Sequence, residues 1–205
     1  MIYMSKKTLL VVVSSLLIIG LSADVLGQDY EKGIEVYKTG EYEGAIKIWI
    51  KAAESGDDRA QATLGFMYHQ GKGIGKTDFK EALKWYSLAA HQGNASAQYN
   101  LAQMYRNGNG ISKDFRLAIE WYLKAAQQKY YWAHYQIGQM YFRGEGVQKN
   151  TIKAHTLWTI AAKLGYEAAD RKLKFLEKTM NQTEIEKANN LTIKCNNKGL
   201  STCLQ

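Results

Sequence analysis

Residues 60–68 of the chain read AQATLGFMY, and the pattern returns as AQYNLAQMY at 97–105 and as AHYQIGQMY at 133–141. The second copy begins 37 residues after the first, and the third begins 36 residues after the second. The extra residue is Gly75, in the loop of the first copy. Periods of about 20–50 residues are typical of solenoids, in which each unit buries its apolar face against its neighbours.

Each copy contains two helical segments that are separated by a glycine-rich turn. In the first segment, Ala60, Leu64, Met67 and Tyr68 recur at helical spacing and predict one apolar stripe. A small residue in the middle of the segment is expected to let two helices approach closely. A Gly-x-Gly turn follows in every copy, as at Gly71 and Gly73, and predicts a left-handed end to the first helix.

The second segment of each copy begins at an N-cap type of residue, which is Asp78, Asp114 or Asn150. Aromatic residues and alanines then recur at helical spacing, as in Trp-Tyr-x-x-Ala-Ala over 85–90. The chain contains no proline, which suits helices throughout. The predicted fold is therefore all-α, an α/α superhelical solenoid of helix pairs.

The repeats divide the chain into four parts. Residues 1–27 form a predicted signal peptide, and 28–57 a partial N-terminal repeat. Residues 58–168 hold three repeats, at about 58–94, 95–130 and 131–166. Residues 169–205 are expected to form capping helices and a tail that is clamped by cysteines.

The N-terminus has the layout of a secretory signal peptide. Lys6 and Lys7 precede an uncharged apolar run from Leu9 to Leu21, and small residues follow up to Gly27, the preferred cleavage position. An uncleaved membrane anchor is the alternative, although the run is shorter than the roughly 20 residues that span a bilayer. We therefore expect a periplasmic or secreted protein without stable membrane insertion after cleavage.

The two cysteines of the chain, Cys195 and Cys203, lie at its C-terminal end. Export places them in an oxidising compartment, which favours a disulfide that clamps the C-terminus. Two free thiols are the alternative.

The Ala-Gln-x-x-Leu-Gly-x-x-Tyr, Gly-x-Gly and Trp-Tyr-x-x-Ala-Ala elements together resemble the Sel1-like repeat family, relatives of the tetratricopeptide repeats. The resemblance covers roughly residues 28–170. The chain departs from the family in lacking proline in the turn and in carrying Leu157-Trp158 in place of Trp-Tyr. The resemblance implies a scaffold for protein–protein contacts. Exported members of the family are linked to envelope functions or host interaction, and this context indicates a Gram-negative bacterium.

Some exported relatives are rich in cysteine and are labelled as β-lactamases. This chain has no cysteine in its repeats and no Ser-x-x-Lys motif. It does carry Lys38-Thr39-Gly40, which matches a short motif of those enzymes but stands where a helix turn is needed. We expect no catalytic residue and no cofactor. We also expect no metal site, because the histidines lack metal-ligand spacing and are interpreted as helix-surface residues. They are His69, His91, His134 and His155.

In superhelices of this type the first helix of each pair lines the concave surface. Aromatic and arginine side chains on an exposed wall are typical of binding hot spots, so a protein or peptide is the expected partner. The alternative is that Tyr99, Trp132 and Tyr135 belong to the core between repeats. The predicted binding residues are Arg59, Phe66, His69, Tyr99, Gln103, Arg106, Trp132, Tyr135, Gln139 and Phe142.

The formal net charge is +8. The densest basic stretch is at Arg171, Lys172, Lys174 and Lys178. A solvated helix face explains it most simply. The alternative functions are a tail that binds an anionic envelope polymer and a β-lactamase-like hydrolase, as the cysteine-rich relatives are labelled. No nucleic-acid partner is expected.

Overall fold

The computed structural model describes residues 27–204, so the predicted signal peptide lies outside the described residues except for Gly27. A first helix, α1, is described from 27 to 38. The helices that follow are α2 (Tyr42–Glu54), α3 (Asp58–Gln70), α4 (Phe79–His91), α5 (Ala95–Asn107), α6 (Phe115–Gln127), α7 (Tyr131–Arg143), α8 (Thr151–Lys163), α9 (Glu167–Glu177), α10 (Gln182–Lys198) and α11 (Leu200–Cys203).

The helices pack in the order in which they occur in the sequence. Within repeats α3 packs against α4, α5 against α6 and α7 against α8, and contacts of α4 with α5 and of α6 with α7 join successive repeats. Residues 27–204 contain no strand. The prediction of an all-α solenoid of helix pairs is therefore confirmed.

The residues predicted to begin and end the helices do so. The Asp78 carboxylate accepts hydrogen bonds from the amides of Lys80 and Glu81, which would otherwise have no partner at the start of α4. Asp114 and Asn150 cap α6 and α8 in the same way. The first helices end on left-handed glycines, with φ between 69° and 78°, at Gly71, Gly108 and Gly144.

The small residue within each first helix has a different role from the one expected. A Cβ atom added to Gly65 would lie 2.5 Å from the Tyr86 ring, and one added to Gly138 would lie 2.5 Å from Trp158 Nε1. The glycine therefore makes room for an aromatic side chain of the second helix. Because Trp158 takes the place of Tyr86, the exchange of Trp-Tyr for Leu157-Trp158 preserves the contact.

The segment before the first full repeat is built in the same way. A Cβ atom on Gly33 would collide with the Trp49 ring, and the Trp49 indole donates to the Tyr30 carbonyl at 3.2 Å. In the last repeat, Trp158 donates to the Tyr135 carbonyl at 3.1 Å. α1 and α2 therefore form a helix pair of the repeat type.

The core is a ribbon of side chains between the helices. Of the predicted apolar stripe, Ala60, Leu64 and Met67 are fully buried, while Tyr68 is half-buried and packs against the core. The largest fully buried side chains are Trp49, Trp158, Tyr86, Tyr122, Leu64, Met67, Leu101, Met104, Ile137, Met140, Leu157 and Leu176.

Buried glutamines link successive repeats. Gln61 Nε2 donates to the Ala53 carbonyl at the end of α2 at 2.9 Å, and Gln61 Oε1 accepts from Gln92 of the loop after α4 at 2.7 Å. One repeat later, Gln98 donates to a carbonyl of α4 at 3.2 Å and accepts from Gln128 at 3.0 Å. These bonds satisfy buried polar groups at helix ends and at the same time fix the stacking of the repeats.

The C-terminal helices cover the second helices of the last repeats. Asn181 and Glu184 form a capping box at the start of α10. This helix packs along α8, while α11 reaches α6. Cys195 and Cys203 are joined by a disulfide between α10 and α11, with their Cα atoms 5.0 Å apart. The predicted disulfide is confirmed.

Candidate binding groove

A cleft of ≈ 410 Å³ opens between the first helices at the N-terminal end of the solenoid. We call it the N-terminal cleft. Its lining residues are Tyr30, Arg59, Ala62, Thr63, Phe66, Asn94, Ser96 and Asn100. Two of the predicted binding helices, α3 and α5, thus contribute to one concavity together with α1.

A second cleft, of ≈ 400 Å³, lies between α7 and α9. We call it the C-terminal cleft. It is lined by Tyr135, Ala168, Arg171, Lys172 and Phe175. We refer to the surface of α3, α5, α7 and α9 that carries both clefts as the first-helix face.

Two of the predicted residues are large apolar side chains exposed to solvent. Phe66 on α3 is 43% exposed and Trp132 on α7 is 38% exposed. Of the residues predicted to be either groove or core, Trp132 therefore belongs to the surface. Exposed aromatic rings on a rigid helix can bury much apolar area in a partner at low entropic cost.

Tyr99 and Tyr135 are half-buried and hydrogen-bonded within their own helices. The Tyr99 hydroxyl accepts from Gln103 at 2.9 Å, and the Tyr135 hydroxyl accepts from Gln139 at 2.8 Å. Burial raises the pKa of Tyr99 above its usual value. Gln103 also accepts from Tyr122 at 3.1 Å, and Gln139 is only 9% exposed. Gln139 is therefore an interior residue. Tyr99 and Tyr135, which are half-buried, keep part of their side chains accessible to a ligand.

His69 and Arg106 connect neighbouring repeats. Arg106 forms an ion pair with Glu145 at 2.8 Å, and its side chain is 14% exposed. His69 Nε2 lies 3.5 Å from Asn109 Nδ2. Glu145 and Asn109 are the middle residues of the Gly-x-Gly turns of the following repeats. These two predicted binding residues thus have partners within the solenoid.

Phe142 and Arg59 also have partners within the protein. The Phe142 ring packs 5.5 Å from the ring of Trp158. Arg59 lies at the edge of the N-terminal cleft, where it pairs with Asp57 at 2.8 Å and lies 4.4 Å over the Tyr30 ring. Its charge is therefore compensated before any ligand arrives.

The interpretation of the histidines as helix-surface residues is wrong for two of them. His134 is 5% exposed and His155 is 2% exposed. Burial lowers the pKa of His134, against the opposing effect of its contact with the Tyr130 carbonyl at 3.2 Å. His155 Nε2 lies 2.9 Å from Glu177 Oε1 and connects α8 to α9.

The Lys38-Thr39-Gly40 match is a helix-terminating turn. Thr39 Oγ1 donates to the Val36 carbonyl at 2.8 Å, and Gly40 has a φ of 88°. Between residues 27 and 204 no group of three or more His, Cys, Asp or Glu side chains is placed to hold a metal ion. Within the same range, none of the helices has the length and apolar character needed to cross a bilayer.

Sequence reasoning missed the C-terminal cleft, although the signal was present. Phe175 follows Gln139 by 36 residues and therefore stands at the position of Phe66 and Gln103 in the earlier repeats. The sequence analysis assigns residues 169–205 to capping helices, so the groove positions of the repeats are not extended onto α9. At 59% exposed, Phe175 is more exposed than any of the predicted apolar binding residues.

The helix pairs, the glycine turns and the clefts between first helices define the class of protein as an α/α repeat solenoid. The Sel1 repeat model matches the sequence at residues 22–57, 58–94, 95–130 and 133–166. The chain therefore belongs to the Sel1 repeat family. The first match includes the helix pair α1–α2, and the last ends before α9. No curated protein sequence matches the chain.

Solved structures of bacterial Sel1 repeat proteins are similar. One is c5321 of uropathogenic Escherichia coli, described as a protective antigen with an SLR fold, at 38% identity and a TM-score of 0.68 over 72% of this chain. Another is a Sel1 repeat protein of Oxalobacter formigenes, at 35% identity and a TM-score of 0.65 over 71% of this chain. The chain covers 32% and 57% of these two proteins. Cysteine rich protein B of Helicobacter pylori, at 24% identity, shares the fold, with a TM-score of 0.50 over 62% of this chain and 96% of its own.

Proposed function

We propose that the protein is an exported scaffold that binds another protein through its first-helix face, in envelope or host-interaction processes, and that it performs no catalytic step. The observation that carries the proposal is the exposure of Phe66 and Trp132 on a wall that is otherwise fixed by internal bonds. Rings presented in this way make effective binding anchors, because little side-chain freedom is lost when a partner covers them.

The rigidity of the wall supports the same proposal. The Tyr99–Gln103 and Tyr135–Gln139 bonds fix side chains along successive first helices. The ion pair of Arg106 with Glu145 then fixes one repeat against the next. A surface held in this way keeps one shape, which lowers the entropic cost of binding.

Export is supported by the disulfide and by the layout of the N-terminus. The bond between Cys195 and Cys203 is of the kind that persists in oxidising compartments. The charged and apolar layout of residues 1–27 is that of a signal peptide. We expect cell fractionation to place the protein in the periplasm or the medium; recovery in the cytoplasm with two free thiols would contradict export.

The binding proposal is tested by partner capture from an envelope fraction with a matched set of variants. Phe66→Ala combined with Trp132→Ala should abolish capture while leaving the fold intact, because both side chains are exposed. Leu88→Ala is the control, since Leu88 is 45% exposed but lies on the second helix α4. Loss of capture in both variants, or in neither, would contradict the proposed use of the first-helix face.

The absence of catalysis is tested separately. Purified protein should show no saturable hydrolysis of nitrocefin. Turnover that a single point change abolishes would overturn the non-catalytic part of the proposal.

A further inference from the structure

The two clefts of the first-helix face differ in charge. In the N-terminal cleft, Arg59 lies 2.8 Å from Asp57 and 3.6 Å from Glu31. In the C-terminal cleft, neither Arg171 nor Lys172 forms an ion pair with any residue between 27 and 204. The positive charge of the N-terminal cleft is therefore neutralised by carboxylates, whereas the C-terminal cleft presents two cations without an ion-pair partner among residues 27–204.

The free cations lie beside exposed apolar surface. Phe175 follows Arg171 by one helical turn, is 59% exposed and lines the same cleft. Tyr135 of α7 lines the cleft from the facing helix. A ligand that fits this site carries negative charge next to an apolar side chain, because a purely charged ligand would leave the Phe175 ring in water.

The cleft is preformed, because α9 is anchored on its other side. Ala169 and Leu176 are buried beneath it, and Glu177 at its end contacts the buried His155 at 2.9 Å. The cations are therefore carried by a fixed helix, which reduces the ordering cost of binding.

Aromatic packing holds Tyr135 at the edge of the cleft. The rings of Tyr131 and Tyr135 lie 5.3 Å and 5.0 Å from the ring of Tyr166. These contacts restrict the Tyr135 side chain before a ligand binds.

We infer that the C-terminal cleft binds an acidic peptide segment, with carboxylates on Arg171 and Lys172 and an apolar side chain between Phe175 and Tyr135. The inference rests on the proposed function, since it names the chemistry of a partner at one end of the first-helix face. Arg171, Lys172 and Phe175 of α9 lie beyond the last Sel1 match at 133–166, whereas Tyr135 lies within it.

An anionic polymer is the competing occupant, and the structure favours the peptide. Lys174 lies on the same helix as Arg171, and Lys178 is the C-cap of that helix, but neither lines the cleft. A binder of a polyanion would use all of these charges alike, whereas a peptide in the cleft uses only Arg171 and Lys172.

The experiment measures fluorescence anisotropy of the purified protein with a short labelled peptide in which a leucine lies between two Asp-Glu pairs. We expect saturable binding that weakens at least about tenfold in Arg171→Ala/Lys172→Ala and in Phe175→Ser. The control is Lys174→Ala/Lys178→Ala, which removes the same charge from the same helix and its C-cap and should change the affinity less than about twofold. A peptide with lysine in place of the acidic residues should not bind.

The inference is overturned if the acidic peptide does not bind, if both double variants weaken binding equally, or if inorganic polyphosphate displaces the peptide as well as unlabelled peptide does. The last two results would indicate an anionic-polymer surface. Leu88→Ala should leave peptide affinity unchanged, because Leu88 lies on the second helix α4 and outside the first-helix face. If the protein binds the acidic peptide but captures no partner, the result counts against the proposed function alone. If it captures a partner but does not bind the peptide, the result counts against the inference alone.

Discussion

Replacing Lys129 by glycine should stabilise the protein. Among residues 27–204, Lys129 is the only residue other than glycine with a positive φ, at 62°. The equivalent positions in the other repeats are held by Gly56, Gly93 and Gly165, with φ between 98° and 101°. Position 129 therefore has the backbone shape for which the other repeats use glycine.

The size of the effect follows from two opposing contributions. A left-handed conformation costs an L-residue about 1–2 kcal/mol. Glycine loses more backbone freedom on folding, which removes about 0.4–1 kcal/mol of that gain. The lysine side chain is exposed and forms no ion pair within the described part of the chain, so little else is lost. The net expectation for Lys129→Gly is a gain of about 0.5–1 kcal/mol in the free energy of unfolding.

Thermal unfolding followed by circular dichroism measures the gain, which corresponds to a rise in Tm of about 1–4 °C for a chain of this size. The reciprocal variant, Gly93→Lys, is the control. An added Cβ at Gly93 meets no atom within 4 Å, so that variant isolates the backbone cost and should lower Tm by a similar amount. An unchanged Tm in both variants would refute the reasoning from backbone conformation.

Three further outcomes are expected. Gly138→Ala should cost about 1–3 kcal/mol of stability in urea unfolding, because the new Cβ would lie 2.5 Å from Trp158 Nε1; a cost below about 0.5 kcal/mol would show that the ring can move. Burial lowers the pKa of His134 in the native state, so at acidic pH the imidazole binds a proton more readily in the unfolded chain. The free energy of unfolding should therefore fall as pH drops below about 6.5. His134→Gln, which copies the glutamine of the earlier repeats, should make that fall smaller between about pH 7.5 and pH 5, and an identical fall would contradict the assignment. Replacing Cys195 and Cys203 by serine should lower stability by about 2.5 kcal/mol through the lost loop constraint, and thiol counting on the native protein should find no free thiol.

The sequence predicted the fold well because its signals are local and repeat. Asp78 caps α4 through amides two and three residues further on, and Asn181 with Glu184 forms a capping box over three residues. Contacts at such short range can be inferred from residue types and spacing alone. The role of Gly65 could not be inferred in this way, because the Tyr86 ring that packs against it belongs to the other helix of the pair.

The binding surface was harder to predict because its side chains find partners far along the chain. The ion pair of Arg106 with Glu145 spans 39 positions in sequence, and the contact of His69 with Asn109 spans 40. A face inferred from one helix at a time treats such residues as free. Phe66 and Trp132 were predicted as binding residues, and both are exposed because no other repeat supplies a group to cover them.

Variation between repeats therefore has two sources, and only one of them concerns a ligand. One first-helix position pairs with the middle residue of the Gly-x-Gly turn in the next repeat. When the turn residue differs between repeats, its partner on the first helix is expected to differ as well. The junctions use Tyr37 with Lys72, then His69 with Asn109, and then Arg106 with Glu145. Each junction therefore uses a different pair, and the variation at these positions follows from the contact between repeats. Varying positions that carry large exposed rings remain as the places to look for recognition, and on the first helices these are Phe66, Trp132 and Phe175.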